Sequence, residues 1–86
     1  MRTKLDWKHK YQLALSENLT IKEIMLLRDV GQPAAINIRN KAIAYCVENG
    51  IEFYTRLVPT EAVLAVTEKD LDYYYQKMVQ ESRLLE

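Results

Sequence analysis

The chain has 86 residues, 49% hydrophobic and 28% charged, with a formal net charge of zero. That length holds a single domain, 1–86, with apolar content enough for a core without staples. A lone cysteine excludes an intrachain disulfide framework, and no segment reads as a signal peptide or membrane span, so the default expectation is a cytoplasmic protein with no membrane partner.

Residues 1 to 10 are basic, and Lys4, Lys8, His9 and Lys10 are expected to face solvent or a phosphate backbone. Asp6 can cap a first helix whose apolar stripe is Trp7, Tyr11, Ala14 and Leu15. His9 has no cysteine or carboxylate cluster at ligand spacing beside it, so no metal site is expected. Ser16-Glu17-Asn18 reads as a turn.

From Leu19 to Gly50 the pattern is helix, glycine-containing turn, helix. Thr20 can accept from the Glu23 amide while the Glu23 carboxylate reaches back to the Thr20 amide, and Leu19 and Ile24 occupy the staple positions. Ile21, Ile24 and Leu27 or Arg28 follow at helical steps. Asp29-Val30-Gly31 stops the helix, with the positive φ expected at Gly31. Pro33 suits the first position of the next helix and Gly50 the position past its end. Ala35, Ile38, Ala42, Tyr45 and Cys46 share one side, which Ile36, Ile43 and Val47 widen, and Cys46 is expected to be a buried small residue. The other side carries Asn37, Asn40, Lys41 and Glu48, with Gln32 at the start, while Arg39 sits between the two apolar rows, from where it can snorkel to the rim. Asparagine and lysine can address base edges and phosphates in a major groove. The same pattern also fits a helical hairpin in an ordinary bundle with a solvated face.

Ile51-Glu52-Phe53-Tyr54 alternates like a strand, Thr55-Arg56 is short enough for a turn, and Leu57-Val58 would return before Pro59 ends pairing. A hairpin after a helix-turn-helix unit is the wing of a winged helix, with Arg56 at its tip; an extended linker is the plainer alternative. Thr60 to Val66 reads as a short helix with Ala62, Val63 and Val66 inward, and Thr67 as the cap of a last helix over 67–86. There Leu71, Tyr75, Met78, Ser82 and Leu85 approach heptad spacing, and Tyr73, Tyr74 and Tyr75 surround the helix start with aromatic surface. The stripe either packs back on the domain or makes a homodimer that presents two reading units to a two-fold DNA site. The expected fold is mainly α with a small β-hairpin: a winged helix-turn-helix over 19–66 with extra N- and C-terminal helices.

Charge is unevenly spread. Residues 1–43 carry eight Lys or Arg against four Asp or Glu, and residues 44–86 carry four against eight, a split of +4 and −4. A basic half toward phosphate and an acidic half away from it is consistent with that split.

Leu19-Thr20-Ile21-Lys22-Glu23 with Val30, then Gly50-Ile51, Phe53-Tyr54, Leu57-Val58-Pro59 and Ala62-Val63, resembles the excisionase-like and MerR-like winged-helix proteins. It looks like the small uncharacterised proteins of integrative conjugative elements and prophages of Gram-positive bacteria. The likeness covers roughly residues 19–66 and implies an architectural or regulatory DNA-binding role, with an integrase or other element protein as partner. Asp29 stands where the excisionase pattern commonly has glycine, and the Pro33–Asn49 helix is longer than the usual recognition helix by roughly two turns.

The function expected is therefore binding of double-stranded DNA through Lys22, Gln32, Asn37, Arg39, Asn40, Lys41 and Arg56, either as an excisionase-like factor or as a transcription regulator. The alternative is a protein-interaction module, a phage adaptor or antirepressor, working through Leu71, Tyr75, Met78 and Leu85. Enzymatic chemistry and a cofactor are not expected: no glycine-rich phosphate loop, nucleophile elbow or framed carboxylate pair is present.

Overall fold

The structure, a computed structural model, describes residues 5–85, and the side chain of Leu85 and the expected exposure of Lys4 lie outside what is described. The chain runs α1 (Trp7–Leu15), β1 (Asn18–Leu19), α2 (Ile21–Arg28), α3 (Gln32–Asn49), β2 (Val58–Pro59), α4 (Thr60–Thr67) and α5 (Leu71–Leu85). The expectation of a mainly helical molecule with a little antiparallel sheet holds.

Local chemistry sets most boundaries. Asp6 caps α1, accepting from the His9 amide at 2.9 Å. The capping box on α2 is complete: the Glu23 amide donates to the Thr20 hydroxyl at 3.2 Å, and the Thr20 amide donates to the Glu23 carboxylate at 2.9 Å. Leu19 and Ile24, the staple pair, are both sealed in the core. Gly50 ends α3 with φ 67, the left-handed conformation that costs a side-chain-bearing residue most.

Three expected boundaries move. The left-handed residue that stops α2 is Asp29, at φ 54, while Gly31 is extended and serves as the uncapped N-cap of α3. Aspartate tolerates this conformation better than most residues because its short polar side chain can bond locally. Pro33 stands one position inside α3, because the helix begins at Gln32. Thr67 does not cap α5: it ends α4, donating to the Val63 carbonyl at 2.8 Å, and Asp70 takes over by accepting from the Tyr73 amide at 2.9 Å.

The sheet also differs. Ile51 to Phe53 form no strand, and the expected hairpin shrinks to a Tyr54–Leu57 bridge around Thr55-Arg56. Val58-Pro59 pairs instead with Asn18-Leu19, in the register Asn18 to Pro59 and Leu19 to Val58. Of the segment read as a turn, Ser16 and Glu17 do bend the chain and only Asn18 belongs to the strand, with the Glu17 carbonyl accepting from the Thr60 amide at 3.0 Å just beyond the pair. A proline fits here because the pair is an edge on both sides and α4 begins at once.

The core lies where α2, α3, α4 and the sheet meet: Leu19, Ile24, Leu27, Ala35, Ala42, Cys46, Val58, Ala62 and Val63 are buried there. Alanines at Ala35, Ala42 and Ala62 let the helices approach closely. α5 packs chiefly along α1, and Tyr74 is the fully buried anchor of that contact. Tyr73 and Tyr74 meet Trp7 at ring separations of 6.0 and 6.3 Å.

Candidate nucleic-acid interface

α3 is the longest helix, and its two sides are sharply different. Ala35, Ala42 and Cys46 point into the core, whereas Asn37, Asn40, Lys41, Ala44 and Glu48 are exposed. At 100° per residue these exposed positions form one continuous strip opposite the core side. Gln32 and Pro33 at its start are exposed as well. Val47, expected to widen the apolar side, is instead 66% exposed and borders the strip. α3 packs against α2 and α4, while α5 lies along α1, so the strip is left open.

Arg39 sits between the apolar rows of α3, as its position implies, and its tip reaches the rim. It is half-buried, its Nε is enclosed without a hydrogen-bond partner, and its Nη2 donates to the Asn40 side-chain oxygen at 3.3 Å. The aliphatic stem is thus held against the protein while the guanidinium tip stays beside Asn40. The guanidinium of Arg39 reaches in this way from the apolar side of α3 to Asn40 on the strip. Lys22 is exposed in the first turn of α2, and Arg56 is exposed at the tip of the 54–57 turn. Gln32, Asn37, Asn40 and Lys41 therefore share one helix, while Lys22 and Arg56 belong to separate elements.

Two basic residues of the first half do not serve this surface. Lys10, expected to be exposed, is 1% exposed. Its ammonium pairs with the Asp29 carboxylate and lies 4.2 Å from the centre of the Trp7 ring. Arg28 donates to the buried Tyr74 hydroxyl at 3.3 Å. Both charges tie α1, α2 and α5 together. Lys10 and Trp7 lie three apart on α1, so their shared face was readable; that Asp29 would meet them across the fold was not. The Tyr74 phenol is pushed up from its usual range, first by burial, with Arg28 opposing. Cys46 is likewise pushed up by burial, then by the Glu61 charge, which suits a packed thiol rather than a reactive thiolate.

The stripe on α5 is partly consumed inside the molecule. Tyr75 meets the Tyr11 ring at 5.6 Å, and Met78 lines a cleft between the start of α1 and α5. Leu71 remains 40% exposed, Ser82 is exposed, and the Leu85 side chain is outside the described set. Of the expected aromatic surface at the start of α5, Tyr74 is buried rather than displayed. His9 pairs with Asp6 at 2.5 Å, and no group of three or more potential ligands gathers around a metal position among the described residues. No described helix is long and apolar enough to cross a membrane. Comparison with protein-family models, curated proteins and solved structures found no match.

Proposed function

We propose that this protein binds double-stranded DNA by laying the exposed strip of α3 in the major groove. Its role would be that of an excisionase-like architectural factor or transcription regulator of a mobile element or prophage. The observation that carries this reading is the open asparagine- and lysine-bearing side of α3, which α5 leaves uncovered. In this reading α2 and α3 form the helix-turn-helix, and the 54–57 turn is a much-reduced wing. Asn37 and Asn40 read base edges, with Gln32 at the leading end. Lys22, Arg39, Lys41 and Arg56 contact phosphates and fix the register. An integrase or a second copy of the chain would act alongside it on the DNA.

Four phosphate contacts per protein predict a log–log salt slope of about −3.6 on duplex DNA. Fluorescence anisotropy with a labelled duplex over a salt series measures it. Absence of binding at low salt, or a slope near zero, overturns the reading. A second reading, a protein-interaction module, is favoured by the exposed Leu71, Tyr75 and Leu84 on α5. Sedimentation with and without DNA separates the two: a stable complex of protein alone with no DNA-dependent shift supports the second.

A further inference from the structure

We infer that the groove where the end of α4 meets the start of α5 docks a basic amphipathic helix from a protein partner. The groove is shallow and open to solvent, with a volume of about 590 Å³. Its floor is apolar, from Leu64, Ala65 and Leu71, and its rim is acidic, from Glu61, Glu68, Asp70 and Asp72. The sequence explains its position. α4 buries Ala62 and Val63 in the core, and helical spacing turns Glu61, Leu64 and Ala65 to the opposite side. Glu68 then reverses the chain with φ 60, so that Asp70, Leu71 and Asp72 form the facing wall.

The rim has one sign of charge and no salt-bridge compensation among the described residues. Glu61, Glu68 and Asp72 have no cationic partner among the described residues. Lys69, the cation nearest in sequence, lies over the Tyr73 ring at 4.8 Å. The cleft between α1 and α5 has a similar volume but mixes Asp6 and Glu81 with Lys8 and Arg83, so its charge selects no partner. The α4–α5 groove does select. Phosphate is repelled by it. Its carboxylates do not converge as a metal site among the described residues, so they suit several separate cations rather than one ion. Lysines or arginines flanking aliphatic side chains at helical spacing match both rim and floor. This chain's own helices do not offer that pattern: each described helix has at most one exposed Lys or Arg, so a second copy fits poorly.

The test uses the full chain and a labelled amphipathic peptide of roughly 15 residues with leucines on one face and lysines flanking them. Its controls are a scramble of the same composition and a version with glutamate for lysine. Anisotropy should show the lysine helix binding about tenfold or more tighter than either control, and weakening as salt rises. The double substitution Glu61→Lys, Glu68→Lys and, separately, Leu71→Asp should each weaken it by about tenfold, with melting curves confirming an intact fold. All three positions are exposed, and none belongs to the proposed DNA face, so DNA binding should persist in these variants. Equal binding of the scramble, or indifference to both variants, overturns the proposal. So does a wild-type self-association that the double substitution abolishes, which would make a second copy the occupant. The outcome does not depend on whether the wild-type protein shifts DNA.

Discussion

Asp29 shows how one residue can serve two purposes. It holds the left-handed backbone that separates α2 from α3, and its carboxylate receives the buried Lys10 ammonium. Replacing it with glycine would ease a backbone cost that aspartate already bears better than most residues, yet strip the ion pair. We expect Asp29→Gly and Asp29→Asn both to be destabilised, Asn more so, as measured by urea unfolding. A glycine variant more stable than the wild type would mean that the Lys10 pair contributes less than the backbone relief that glycine brings. Lys10→Ala should cost about 2–3 kcal/mol, because it removes both the pair and the packing on Trp7, whereas Lys10→Met should recover part of the loss. The turn itself was legible at this scale, since Asp29 and Gly31 flank it. The partner of Asp29 was not, because a lysine in a basic N-terminal run reads as solvated until the fold brings Trp7 over it.

Titration adds a second residue-scale expectation. The Asp6 carboxyl is held below its usual range, chiefly by the His9 amide and then by the His9 side chain. Its stabilising effect is present above the unfolded carboxylate value and fades as pH falls through the lower folded one. Tyr74 has the opposite sign. Its folded value is raised, so its contribution is complete below the unfolded value near 10 and is lost as pH climbs beyond it. Thermal melts across pH should show an alkaline decline that Tyr74→Phe flattens and an acid decline that Asp6→Asn flattens. A Tyr74→Phe profile parallel to wild type above pH 10 would refute the first.

At the scale of elements, α2 and α3 were readable because their signals are local: a capping box, a staple, a proline near one end and a glycine at the other. Thr20→Ala should therefore cost about 1 kcal/mol, lowering the melting temperature by about 4–8 °C in a domain of this size. A shift below a degree would show that packing alone sets the start of α2. The sheet was not readable. Asn18-Leu19 has no strand signature, and its partner lies some forty residues away, so nothing within a short window could announce the pairing. The alternation in Ile51 to Tyr54 misled for the same reason: a period of two marks two faces but does not supply a neighbouring strand. On α3, Asn40→Ala with Lys41→Ala should leave the fold unchanged while weakening DNA binding by at least about tenfold. The Lys41 change alone should reduce the salt slope by about 0.9. An unchanged affinity would show that DNA, if bound, is not bound by this strip.

At the scale of the molecule, the +4 and −4 halves translate into surfaces only in part. Lys10 and Arg28 are engaged in internal contacts, which leaves Lys22, Lys41 and Arg56 exposed on separate elements and an acidic groove at the α4–α5 junction. The α3 strip could be anticipated from periodicity, because burial of one side of a helix fixes the other. The acidic groove could not, because it needs two helices to meet at a particular angle. The two terminal helices also depend on one another: the Trp7 amide, at the start of α1, donates to the Glu81 carboxylate of α5 at 3.0 Å. Glu81→Ala should loosen that clasp, and the lone tryptophan reports on it directly through its emission.

The Asn18–Pro59 pairing and the α1–α5 clasp together give the chain a nested closure. An inner ring holds α2, α3 and α4, and the outer pair is fastened across its base. Deleting either end would therefore not yield a trimmed domain with one helix fewer. It would leave the surviving terminal helix without its mate and expose the half of the aromatic seam that remains, Tyr73 and Tyr74 after loss of α1 or Trp7 after loss of α5. N-terminal and C-terminal truncations should share one phenotype, a sticky inner ring, even though they remove sequences with nothing in common.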